Sequence, residues 1–158
     1  MSLRDEIVGY AESYLHLPYR WGGDNPLVGL DCSQFVIEVF RRFGFFEPGV
    51  DMAAQRLWEF WARLAVPVPI RAGVAFWKNS IGRVCHTGII KGETFQRFES
   101  GGYRADVTVI EATGGQDITT RVAAEKARAM VVERSLGYDR GVILAGYVDP
   151  LLVERYGL

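Results

Sequence analysis

Cysteine and histidine are the scarce residues of this 158-residue chain, with two of each: Cys32, Cys85, His16 and His86. Two cysteines exclude a disulfide framework, and they carry no Cys-x-x-Cys spacing for zinc or redox work. The four residues together lack the paired spacing of a Cys2His2 site, so neither a metal nor another cofactor is expected. Long apolar runs are missing too. None approaches the roughly 20 residues of a spanning helix, and no integral membrane segment is expected. An excess of one charge is also absent: 18 Lys and Arg stand against 19 Asp and Glu. That balance leaves no electrostatic footprint for nucleic acid and no charged block for a membrane surface. Met1-Ser2-Leu3 runs directly into a charged helical pattern, so no secretory leader is read, and the compartment stays open. A hydrophobic share of 49% excludes disorder. With no repeat, linker or low-complexity tract, residues 1–158 are expected to form one domain.

The informative stretch is Pro18-Tyr19-Arg20-Trp21-Gly22-Gly23, a polar loop, then Leu30-Asp31-Cys32-Ser33-Gln34-Phe35. Gly22, Gly23, Asn25, Pro26 and Gly29 are turn formers, so a loop delivers Asp31 and Cys32 at its far end. Beyond it, Phe35, Val36, Val39, Phe40 and Phe43 recur with helical period. Cys32 therefore belongs in or beside a first helical turn. There, unpaired N–H groups and the positive dipole end favour thiolate, the nucleophilic form. The competing reading is a buried structural cysteine.

Elsewhere, Ser2-x-x-Asp5 is a capping-box pattern before a first helix carrying Ile7, Val8 and Ala11, which ends before Pro18. His16, at its C-terminal end, suits a capping or solvent-facing role. Asp51 is placed to cap a third helix over Met52 to Leu64, whose aromatic stripe is either core or the wall of a groove. Val74 to Trp77, Val84 to Lys91 and Val107 to Ala112 read as strands. In the second of these, alternation sends Cys85 and His86 to opposite faces, making Cys85 a packing residue if His86 faces Cys32. Residues 119–140 support helix and strand alike, whereas Val142 to Val148 reads as the last strand. Helices first and strands later, with connections too short for crossovers, indicate an α+β fold with an antiparallel sheet.

The Pro18–Gly23 and Asp31-Cys32-Ser33 segments, followed in order by His86-Thr87-Gly88-Ile89, resemble the signature of the NlpC family, papain-like cysteine endopeptidases of bacterial cell-wall peptides. The resemblance spans about Pro18 to Ala112. It implies a papain-like (NlpC-type) arrangement in which the helix bearing a catalytic Cys32 packs on the antiparallel sheet bearing His86. Glu111 takes the place of the family's third residue, accepting a hydrogen bond from the imidazole, unless it is a solvated strand glutamate. Gln116 and Asp117 in the following Gly-rich loop are rivals for that role. Tyr19, Asp31 and Ser33 would line the substrate and oxyanion sites, with no cofactor required. The implied substrate is a murein peptide, and the bond D-γ-glutamyl to a diamino acid, which places the site of action outside the cytoplasm or after phage delivery. No appended wall-binding domain is expected within residues 1–158.

The chain departs from the family pattern at Glu111, usually His, Asn or Gln; at Gln34, usually Gly; and at Gly73-Val74, usually Gly-Asp. Glu93 to Asp106 is also an over-long connection, expected to act as a lid or selector loop. The same fold supports acyl transfer or lipid thioester hydrolysis, and also a catalytically silent binding module of a phage tail or secreted effector. Oligomeric state is not legible.

Overall fold

The computed structural model describes residues 1–97 and 99–153. Helix α1, Leu3–Glu12, opens with the expected capping box, Ser2 and Asp5 satisfying each other's backbone donors. It buries Ile7, Val8 and Ala11. The chain then turns through His16, which is exposed and adopts a left-handed φ of 74°. A two-residue ribbon follows, β1 at Asp24–Asn25 and β2 at Gly29–Leu30.

Helix α2, Cys32–Arg42, buries Phe35, Val36, Val39 and Phe40 along the stripe its period predicts. Its last turn carries Arg41 and Arg42, which complement the negative dipole end. Helix α3 is shorter than the expected Met52 to Leu64. It spans Ala54–Trp61 and tightens into a 3-10 turn at Ala62–Leu64. Asp51 does not cap it, because its carboxylate accepts the side-chain amide of Gln34 instead. Trp61 and Leu57 are core, whereas Phe60 stays exposed.

The remaining chain builds a six-stranded antiparallel sheet: β3 Ala65–Val66, β4 Val74–Lys78, β5 Val84–Arg97, β6 Tyr103–Ala112, β7 Val131–Ser135 and β8 Ile143–Val148. The spatial order is β3-β8-β4-β5-β6-β7. Between β6 and β7 lies a short helix, α4 Arg121–Ala127, capped by Thr120. Residues 119–140 thus contain both a helix and a strand.

Glu93 to Asp106 is not a free loop. Strand β5 continues to Arg97 and pairs with β6 through Arg97↔Tyr103, so the segment is a hairpin arm held by ladder hydrogen bonds. Phe98 lies outside the described residues.

The two faces of the sheet are covered unequally. Val74, Phe76, Ile89 and Ile110 point into the main core beneath the helices. Ala75, Trp77, Ile90 and Val109 form a smaller cluster on the opposite face, covered by Leu136, Val142 and Tyr147. The site depends on this division.

Candidate active site

The loop before α2 is held by its glycines. A Cβ on Gly23 would stand 2.4 Å from the Gly29 carbonyl oxygen, so only glycine allows the two limbs to close. Trp21 N–H bonds the Ile118 carbonyl and Tyr19 N–H that of Ala129, tying the loop to the α4 region. Asp31 is the N-cap of α2: one of its carboxylate oxygens accepts Gln34 N–H at 2.9 Å and the Ser33 hydroxyl at 3.2 Å. Cys32 is therefore the first helical residue.

Strand β6 pairs with β5 only from Ile89 outward, so that edge of β5 is open along Cys85 to Thr87. The start of α2 meets this open edge. The Cys32 thiol lies 3.9 Å from the Cys85 carbonyl, and the backbone N–H groups of Thr87 and Ser33 favour its anion. They do not prevail. Burial, reinforced by the Asp31 charge, pushes the Cys32 thiol up to about 12. The helix start that favours thiolate is thus opposed by desolvation, which disfavours the charged form.

Cys85 also differs from expectation. Trp77 pairs with His86 while Lys78 pairs with Val84, so Cys85 is the extra residue of a β-bulge. Alternation fails at a bulge. Cys85 is consequently exposed instead of packed.

His86 shares its sheet face with Trp77, the ring centroids 5.3 Å apart. Glu111 enters the same face from β6. Gly88 permits this, because a Cβ there would meet Val109 Cγ1 at 2.6 Å and Glu111 Cβ at 3.0 Å. His86 Nε2 stands 3.4 Å from Glu111 Oε2 but has no hydrogen-bond partner among the described residues.

Glu111 is completely buried and is held chiefly by Arg140. The Arg140 Nε–H contacts both carboxylate oxygens, at 3.1 and 2.9 Å, and its other nitrogens donate to the carbonyls of Ser135, Leu136 and Tyr138. Its guanidinium lies 4.2 Å from the Trp77 ring centroid, a cation–π contact. Arg134 reaches the other side of the carboxylate, Nη1 to Oε1 at 3.7 Å. Burial pushes Glu111 upward, but the His86 ring and Arg140 outweigh it and hold the carboxyl below the usual range.

Two adjoining hollows flank the bulge. The larger, about 660 Å³, contains Cys32, Tyr19, Asp31, Ser33 and Gln116 on its walls. The smaller, about 350 Å³, contains His86, Glu111, Arg134 and Arg140. Cys85 borders both. Tyr19 is buried, and burial, with Cys32 and Asp31 nearby, raises its phenol well above the ordinary value. Gln116 and Asp117 lie exposed in the loop after β6, and Gln116 faces the Cys32 hollow. Glu111 is the candidate third residue that stands beside the imidazole.

Arg134 and Arg140 were not anticipated from the sequence. Arg140 sits in Gly137-Tyr138-Asp139-Arg140-Gly141, where an arginine reads as a solvated turn residue. The only available signal was the unusual Glu111, a strand carboxylate that demands a partner if buried.

The fold is that of the NlpC/p60 domains. The chain matches the solved NlpC/p60 domain of the peptidoglycan hydrolase SagA with a TM-score of 0.57 and 20% identity, over 94% of this chain and 99% of that one. It is also 34% identical over 89 residues to the gamma-DL-glutamyl hydrolase of Bacillus subtilis (strain 168). That match takes in 54% of this chain but only 21% of the relative's length. No protein-family model matches.

Proposed function

We propose that the protein is a cysteine peptidase that hydrolyses an amide bond of bacterial cell-wall (murein) peptides, the bond joining D-γ-glutamate to a diamino acid. The observation that carries this reading is the seating of Cys32, at the start of α2, against the Cys85–Thr87 backbone that bears His86, with Glu111 3.4 Å from the imidazole. The likeness to a peptidoglycan hydrolase domain and to a gamma-DL-glutamyl hydrolase supports it.

The chemistry follows from the protonation states. Burial keeps the Cys32 thiol protonated at neutral pH. His86 therefore takes the proton as sulfur attacks the carbonyl carbon, and returns it to the leaving amine when the C–N bond breaks. A water then attacks the thioester with His86 again as base, releasing the acid and restoring the thiol. Glu111 orients the ring. The Cys32 N–H and the Tyr19 hydroxyl meet the oxyanion, and Asp31 and Ser33 line the acyl side.

Digestion of purified murein followed by mass analysis tests this. New amino termini on a diamino acid are expected with the native protein and none with Cys32→Ala. Trapping of an acyl thioester from a lipid donor, with murein untouched, would instead mark an acyltransferase.

A further inference from the structure

Arg134 is the functional group that the proposed chemistry leaves unused. It borders the smaller hollow, its side chain is 30% exposed, and among the described residues its guanidinium donates no hydrogen bond. It lies 4.4 Å from the Tyr138 ring centroid, a cation–π contact that leaves its N–H donors free. Arg140, by contrast, is fully engaged by Glu111 and three carbonyls. With Glu111 offset by Arg140, the hollow retains the positive charge of Arg134. A planar guanidinium with free donors in a concave, net-positive site suits a carboxylate, which it can bind by two parallel hydrogen bonds.

The direction of the cleft says which carboxylate. On the peptidase reading above, the acyl part of a substrate takes the hollow that holds Cys32, Asp31 and Ser33, and the leaving amine passes His86, which protonates it. The leaving residue therefore enters the hollow that holds Arg134. Arg134 Nη1 and His86 Nε2 stand 3.7 and 3.4 Å from the two oxygens of the same Glu111 carboxylate, so both groups border one hollow. An α-carboxylate lies two bonds from the scissile nitrogen, so a leaving residue whose amine meets His86 carries that carboxylate into the hollow that Arg134 borders.

We infer that Arg134 and the hollow beside Glu111 form a leaving-side subsite for a free α-carboxylate, so that the preferred substrates are short peptides whose leaving residue is the C-terminal one. This inference rests on the peptidase reading above, and its test separates the two.

Two D-γ-glutamyl isopeptides differing only in a terminal carboxylate or carboxamide serve as probes. The native protein should cleave the carboxylate form with a kcat/KM on the order of 10- to 100-fold higher, the range set by a charge-assisted hydrogen-bonded pair. Arg134→Gln should bring that ratio close to one, and Arg134→Lys should restore part of it. Binding of both peptides to the Cys32→Ala protein, measured by calorimetry, needs no turnover and should show the same preference. If the native protein cleaves neither peptide while the Cys32→Ala protein still prefers the carboxylate, the subsite stands and the reaction assignment fails. Equal or undetectable binding of the two forms, or a ratio that survives Arg134→Gln, would overturn the subsite.

Discussion

The Nε–H of Arg140 is shared between both carboxylate oxygens of Glu111, 3.1 and 2.9 Å away, on the sheet face that carries His86. A glutamate at this position is thereby made tolerable in an apolar setting. The same carboxylate lies 3.4 Å from the imidazole, and His86 and Arg140 together favour its charged form.

Arg140→Ala should destabilise the fold by about 3–5 kcal/mol, the usual cost of leaving one member of a buried ion pair without its partner. Arg140 has 4% of its side chain exposed and Glu111 none, so solvent screening does not soften the loss. Arg140→Lys should fall between, because an ammonium cannot serve the carboxylate and three carbonyls together. Urea unfolding of the two variants measures this. A change below about 1 kcal/mol for Arg140→Ala would mean the pair is not stabilising in the folded protein.

Acid should act through Glu111. Its carboxyl is held below the ordinary value of 4.5, so the folded state binds the proton less readily than the unfolded state. The stabilisation is complete above about pH 4.5 and is lost as pH falls through the folded-state value. Glu111→Gln should flatten this part of the stability–pH curve and lower stability near neutrality, since Arg140 loses its counter-charge. As an amide still accepts a hydrogen bond, this variant should retain measurable activity where Glu111→Ala does not. Gln116→Ala and Asp117→Ala should be mild. A crippling Asp117→Ala would reassign the third residue.

Alkylation should distinguish the two cysteines in an order opposite to their proposed importance. In the substrate-free protein at pH 7, Cys85 should react first because it is exposed, while burial holds the Cys32 thiol protonated. Raising the pH should accelerate Cys32. Asp31→Asn should accelerate it further at a given pH, as the neighbouring negative charge that opposes thiolate is removed. Iodoacetamide labelling followed by peptide mass mapping reads both rates; faster labelling of Cys32 than Cys85 at pH 6 would show a standing thiolate.

Gly88→Ala tests the close approach of β5 and β6. The added methyl would meet Val109 Cγ1 at 2.6 Å and the Ile110 carbonyl oxygen at 3.0 Å, so the strands must part where Glu111 passes His86. A loss of about 1–3 kcal/mol is expected from overpacking. Activity should fall by more than the folded fraction does, which thermal melts and assays at matched folded concentration would reveal.

Much of this protein was determined locally and is therefore visible in the sequence. The capping box of α1, the stripe of α2, the placing of Cys32 at its start and the central strands all follow from short-range periodicity and turn chemistry. What the tertiary structure alone decided depends on contacts between distant segments. The bulge that exposes Cys85 arises from pairing between β4 and β5, and the hairpin arm arises from β5 meeting β6 through what reads as a charged, Gly-rich loop. Asp51 lost its capping role to a side-chain amide seventeen positions away. Arg140 and Glu111, 29 residues apart, meet only because β7 pairs with β6 and the following turn folds back over Trp77. The thiol of Cys32 is governed the same way: its position at a helix start is local and favours charge, whereas its desolvation comes from the packing of α2 against an open strand edge, and that nonlocal term is the larger.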